Sequence, residues 1–215
     1  MSKFAQALAV STVTVADQIA AVFARDEIIV TGIGSRETPD DILSLMTRIG
    51  AALEARKARL RSGGAGGADL AFEAGWTDAS LCEIYHPWHG FKPKVGGTDV
   101  DVERILGRKR PKFGAGAPIV ISGDVEARAM EIASASHPAW ERCGHGARKL
   151  HTRNVPQVLG ADLGRLTDMV ICWTVDGGPT GGTGQAIRMA MQRGVLIVNL
   201  QRTDHRAAIM AALGL

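Results

Sequence analysis

A chain of 215 residues, 46% of them hydrophobic, is long enough for one domain of generous size with a sizeable core. Its formal charge of only +3 excludes a polycation that holds nucleic acid by total charge; such binding would need local clustering. Its three cysteines, Cys82, Cys143 and Cys172, are odd in number and widely spaced, which argues against a disulfide scaffold and against a zinc site of CxxC type.

In chain order, residues 1–26 read as an amphipathic helical extension. Polar residues interrupt their apolar stretch and no convincing cleavage site follows, so they are not read as a signal peptide. EIIVTGI, residues 27–33, is a short β-branched strand ending in glycine. After GSRETPDD, the residues Ile42, Leu45, Met46, Ile49 and Leu53 recur at helical spacing, with Pro39 in the first turn and Thr38 as N-cap. RLRS (59–62) is a second strand, GGAGGAD feeds a second helix, and LCEIYHPW (81–88) is a third strand. Residues 89–117 break the rhythm with glycines, prolines and mixed charge and read as an irregular excursion whose basic run GRKRPK is a solvated flap. PIVIS (118–122) is a short strand and VEARAMEIAS a helix; the next helix is expected to break near Gly144–Gly146 and at Pro156. DMVICWTV (168–175) is a buried strand, followed by a glycine-rich loop, the helix QAIRMAMQRG, the strand VLIVNL and a short terminal helix from about Thr203.

This alternation predicts a single Rossmann-like α/β domain over residues 1–215: three layers, a mainly parallel sheet with helices on both faces. Ligands in such sheets bind beyond the carboxyl ends of the strands, where three glycine loops fall: Gly32–Ser35, Gly63–Gly67 and Gly177–Gly184. A glycine loop opening a helix removes obstructing side chains and aims unpaired N–H groups outward, which suits a phosphate. The P-loop fingerprint is absent, since Gln185 follows Gly184 where a lysine is needed, and G-x-G-x-x-G is not completed after Gly34. An ATPase and an ordinary dehydrogenase are thereby disfavoured. The histidine groups His86/His89 and His145/His151 lack carboxylate or cysteine partners at matching spacing, so no metal site is expected. No cofactor is implied, and no run is long and apolar enough for a membrane span. The cytoplasm is the expected compartment.

The ordered set GSRETP, SGGAGGAD, HTRN and GGTGQAIRMA resembles the Rossmann-like superfamily that groups DprA/Smf proteins with LOG-type nucleotide phosphoribohydrolases. It is most similar to the small DprA-like members often encoded by phages and prophages, over roughly residues 27–200. The resemblance implies that Gly34, Ser35 and Arg36 line the first loop, with the Arg36 fork on a phosphate; the alternative is a surface salt bridge. It implies a cradle at Gly63, Gly64, Gly66 and Gly67, and a second at Gly181, Gly182, Thr183 and Gly184, with Gln185 beside it. Asp69 either binds a ribose hydroxyl or caps the next helix. Arg153 and Asn154 either reach the ligand or form an ordinary helix-surface pair. Trp88 and Trp173 either stack on a base or pack in the core.

One departure bears on chemistry. The LOG-type hydrolases carry a glutamate in the helix after their glycine motif, and this chain has Gln185, Ile187 and Arg188 there. A glutamine is no general base at neutral pH. Asp176 is the carboxylate best placed to substitute, unless it is only a turn residue; Glu73 and Glu83 are others. Three functions follow: a binding protein for a nucleotide or nucleotide-derived ligand, a nucleoside-monophosphate N-glycosidase, or a single-stranded-DNA-binding recombination mediator. A homodimer is the default assembly.

Overall fold

The computed structural model describes residues 13–215; the predicted extension over residues 1–12 lies outside them. Five parallel strands form the central sheet: β1 (Ile29–Gly32), β2 (Arg59–Ser62), β3 (Cys82–Ile84), β6 (Met169–Cys172) and β7 (Leu196–Asn199), in the order β3-β2-β1-β6-β7. β1 pairs with β2 from Ile29↔Arg59 and with β6 from Val30↔Met169. A two-stranded antiparallel hairpin, β4 (Lys94–Val95) and β5 (Thr98–Asp99), stands apart.

Helices cover both faces, so the architecture is a three-layer, Rossmann-like α/β fold. Alternation along β6 shows why. Met169 and Ile171 join one apolar cluster while Val170 and Cys172 join the other. The first cluster is closed by α1 (Val15–Phe23), α2 (Asp40–Ala55), α3 (Ala68–Ala74) and α8 (Thr203–Leu213) through Ile19, Met46, Phe72 and Ile209, among others. The second is closed by α5 (Gly123–Ser136), α6 (His145–Leu159) and α7 (Gly184–Met191) through Ala133, Val155 and Ile187. Helix α1 is thus part of a layer, packed on α8, and not a free extension. It starts at a capping box in which Thr14 Oγ1 accepts from the Asp17 N–H and the Asp17 carboxylate accepts from the Thr14 N–H.

Local expectations needed correction in several places. Helix α2 begins one residue later than read, with Pro39 at the cap; Thr38 is buried and its hydroxyl donates to the Ser35 carbonyl (2.8 Å), fixing the preceding loop. Helix α6 does not break at Pro156. That residue lies in the last turn, the buried Val155 and Val158 hold the turn to the core, and the Gly160 N–H still reaches the Pro156 carbonyl. PIVIS forms only one bridge, Ile119 beside Tyr85 on the outer side of β3.

The excursion is the largest correction. After β5 it forms a short helix α4 (Val102–Leu106), and two cations of its basic run, Arg108 and Arg110, turn inward while Lys109 and Lys112 stay exposed. Arg108 donates to the Trp76 carbonyl, and Arg110 forks onto Glu73, with Nε to Oε1 at 2.7 Å. Glu73 is 1% exposed, so the segment is strapped to α3 by a buried, charge-assisted pair. His86 lies beside that pair, 3.5 Å from Arg110 Nη1. Burial, then the Arg110 charge, hold its imidazole down to about 3 against an ordinary 6.5. The unfolded chain takes up this proton first, so the contribution is complete above about pH 6.5 and is lost as pH falls towards about 3. His86→Asn is expected to lose less melting temperature on acidification from about pH 7 to about pH 4.5 than the unaltered chain. Equal losses in both would contradict this assignment.

Candidate functional site

In the order β3-β2-β1-β6-β7 the sheet reverses its winding between β1 and β6. The loops leaving adjacent carboxyl ends there run to opposite faces and leave a crevice. A cavity of about 520 Å³ occupies this position. The loop after β1 supplies Gly34, Ser35 and Arg36, and the loop after β6 supplies Thr174, Val175 and residues 180–183. Helix α6 closes the side with Leu150, His151, Arg153, Asn154 and Gln157.

The loop after β6 is held from below. Asn199 Nδ2 donates to Thr174 Oγ1 (2.7 Å), whose hydroxyl donates to the Gly178 carbonyl (2.7 Å). Arg188 Nη1 donates to the Pro179 carbonyl (2.6 Å). Gly184 opens α7 directly against that carbonyl, where a Cβ would collide with backbone, so only glycine fits. Gly181, Gly182 and Thr183 are thereby carried to the cavity wall ahead of α7, whose first N–H groups have no intrahelical partner.

Arg153 is the buried centre of the site. It is 7% exposed, and its Nη1 lies 3.5 Å from Asp69 Oδ2. In the amide orientation that satisfies its neighbours, the Gln157 oxygen accepts from Arg153 Nη1 (2.6 Å) and from the Gly63 N–H (2.7 Å). Asp69 also accepts from the Ala65 N–H at 3.3 Å. Burial pushes the Asp69 carboxyl above its ordinary range, and the Arg153 charge opposes that push. Among the described residues Arg153 Nε has no hydrogen-bond partner. A buried guanidinium N–H without an acceptor is rare in native structures and marks a direction in which an anion would be stabilised. At the mouth, Arg36 is exposed and forms no ion pair among the described residues, so the alternative of a surface salt bridge does not hold for it.

The predicted residues therefore divide. Gly34, Ser35, Arg36, Asp69, Arg153, Asn154, Gly181, Gly182 and Thr183 line one cavity. Gly63, Gly64, Gly66 and Gly67 do not. The Arg153 side chain covers Gly63, Arg110 and His86 sit on Gly64, the β4 strand sits on Gly66, and the Ser35–Arg36 backbone sits on Gly67. This loop leaves β2, one strand away from the switch point, and only its Ala65 reaches the wall. In this structure its glycines are approached by the protein's own atoms. Gln185 is fully buried behind the wall, where its oxygen accepts from Asn154 Nδ2 (3.2 Å).

Asp176 is an exposed turn residue outside the cavity wall, accepting from the Gly178 N–H (3.0 Å) and the Thr180 hydroxyl (2.7 Å). Those bonds lower its pKa, so it is a poor proton donor. Glu73 is occupied by Arg110, and Glu83 by Arg61 Nε (2.9 Å) and the Tyr85 hydroxyl (2.6 Å). Trp173 is buried with its Nε1 donating to Gln201, and Trp88 packs edge-on against Phe91; neither lines the cavity. Residues of the wall that the motif reading did not assign to the ligand include Thr174, Gln157 and His151, the last weighed there only as a metal ligand. Gln157 lies one helical turn beyond Arg153, a spacing that places both on one face of α6.

The fold and cavity define a Rossmann-like α/β protein with a crevice at its topological switch point, lined by Arg36, Arg153, Glu37 and Asp69 and by the glycine loop ahead of α7. No protein-family model, no curated protein and no solved structure matches the chain. Among the described residues no helix is long and apolar enough to cross a membrane.

Proposed function

We propose that the chain binds a phosphate-bearing nucleotide or nucleotide-derived ligand at this crevice, as the resemblance to DprA/Smf-like and LOG-like proteins implies. The observation that carries the reading is the convergence, on one cavity, of the glycine loop Gly181–Thr183 ahead of α7, of Arg36, which has no ion pair among the described residues, and of Arg153. Its volume of about 520 Å³ falls in the usual range for small-molecule sites. Binding without hydrolysis is favoured over an N-glycosidase. The one carboxylate deep in the wall, Asp69, is tied to Arg153, and Asp176 is held in its turn. A small ligand is favoured over single-stranded DNA, because Arg108 and Arg110, two cations of the basic run, are turned into the protein.

The test is incubation with a panel of nucleoside monophosphates, read for binding by calorimetry and for free base by chromatography. Binding with no base release is expected. Arg36→Ala is expected to weaken it by about 10–100-fold, or ~1.4–2.8 kcal/mol, while its exposed position leaves stability within about 0.5 kcal/mol. Steady release of base would instead establish the glycosidase, and affinity unchanged in Arg36→Ala would remove the phosphate from the mouth.

A further inference from the structure

A second constellation lies in the wall beside His151. His137 ends α5, Cys143 follows the 3-10 turn Trp140–Arg142, and His151 is on the second turn of α6. One ligand atom from each lies within 4.8 Å of the other two. The three come from separate elements, so no local spacing announces them.

Their present partners are weak. Cys143 Sγ is 3.8 Å from His137 Nδ1 and 3.9 Å from Nε2, and otherwise meets only the Ala139 carbonyl at 3.6 Å. His151 Nδ1 is buried with no hydrogen-bond partner among the described residues. Such an orphan nitrogen is rare in native proteins and is explained by a ligand the protein atoms do not supply. Around the cluster, Trp140 flanks both imidazole rings, and Arg148 donates to the Cys143 carbonyl (2.9 Å) while stacking over Trp140. A fixed backbone and an aromatic shield are the outer supports that metal ligands generally have.

We propose that His137, Cys143 and His151 form a zinc site. One thiolate and two imidazoles are a ligand set typical of Zn²⁺, with the fourth tetrahedral position left to water or to a guest. Metal–ligand lengths of about 2.0–2.3 Å place tetrahedral ligand atoms roughly 3.4–3.6 Å apart. The observed atoms need to close by an ångström or so. The cost is local: the His137 ring turns, gives up the Ala139 N–H that now donates to its Nδ1 (3.2 Å), and the Cys143 thiol proton leaves for solvent. Because His151 also lines the crevice, the ion would stand in its wall. The zinc site does not depend on the nucleotide reading, and its test uses no nucleotide.

The full chain, stripped with a chelator, is titrated with Co²⁺ and then with Zn²⁺. One Co²⁺ per chain is expected, with a near-ultraviolet thiolate-to-cobalt charge-transfer band that Zn²⁺ removes. Cys143→Ser abolishes the band, and His151→Gln weakens binding by at least about tenfold. Alkylation of the unaltered chain gives a readout that needs no variant. Cys82 and Cys172 are buried, so Cys143 is the thiol that reacts, and Zn²⁺ is expected to protect it. Cobalt binding without the thiolate band, a band that survives Cys143→Ser, or alkylation unaffected by Zn²⁺ would each overturn the site.

Discussion

Arg110→Ala is expected to destabilise the fold by about 3–5 kcal/mol, the usual result of stripping one partner from a buried ion pair. Glu73 is 1% exposed and Arg110 is its only cationic partner among the described residues. Without the guanidinium, the carboxylate on α3 must stay buried and unpaired, take up a proton, or drag the helix open. The double replacement Glu73→Gln with Arg110→Ala removes the orphan charge and should recover a large part of the loss. Urea unfolding of the two variants and the unaltered chain measures both numbers. Because the strap lies behind Gly64 and outside the crevice wall, ligand affinity should change far less than stability. A loss below about 1 kcal/mol in Arg110→Ala would mean that the excursion is the solvated flap its composition suggests.

Arg153→Met should be comparably severe, again by about 3–5 kcal/mol, and should remove ligand binding as well. It leaves the Asp69 side chain, 6% exposed, without its cation and frees the Gln157 oxygen from a 2.6 Å bond. The pH dependence distinguishes this loss from simple repacking. Burial already pushes the Asp69 carboxyl up, and without Arg153 it rises further. A carboxyl whose pKa is raised in the folded state favours folding at low pH and opposes it as pH increases. The defect of Arg153→Met relative to the unaltered chain should therefore be larger at about pH 8 than at about pH 5. Asp69→Asn in the same background should flatten that difference. A pH-independent defect would place the cost in lost packing and not in an abandoned carboxylate.

The sheet was legible because most of its strands are short apolar runs that repeat the pattern of a doubly covered sheet. RLRS was read at its observed bounds, whereas the run read as 168–175 is strand only over Met169–Cys172, since Trp173 to Val175 already belong to the loop that leaves the sheet. The loops were legible as loops, and their glycines as backbone that something approaches. What approaches was not. At Gly184 it is the Pro179 carbonyl, at Gly63 the Arg153 side chain, and a local pattern cannot distinguish a ligand from the protein's own atoms. Which loops face the crevice depends on strand order. Thr31 of β1 pairs with Val170 of β6, 139 residues later, and only that long-range pairing sets the switch point between the two strands.

Charge was misread for a related reason. GRKRPK is a hydrophilic run by composition, yet Arg110 is fixed by Glu73, 37 residues earlier. Pro156 was given its usual helix-breaking weight, which the burial of Val155 and Val158 overrides. The His137–Cys143–His151 cluster spans three elements, so a search for close metal-ligand spacing passes over it.

The account rests on a phosphate being held between Arg36 and the amides of Gly181–Thr183. Crystals grown with a nucleoside monophosphate, and analysed by difference density, test this most directly. The phosphoryl group should lie at the start of α7, within hydrogen-bond reach of those amides, with the Arg36 fork on its outer oxygens. A nucleotide that sits elsewhere on the surface, or whose phosphate points to solvent while the crevice stays filled only by water, would contradict the account.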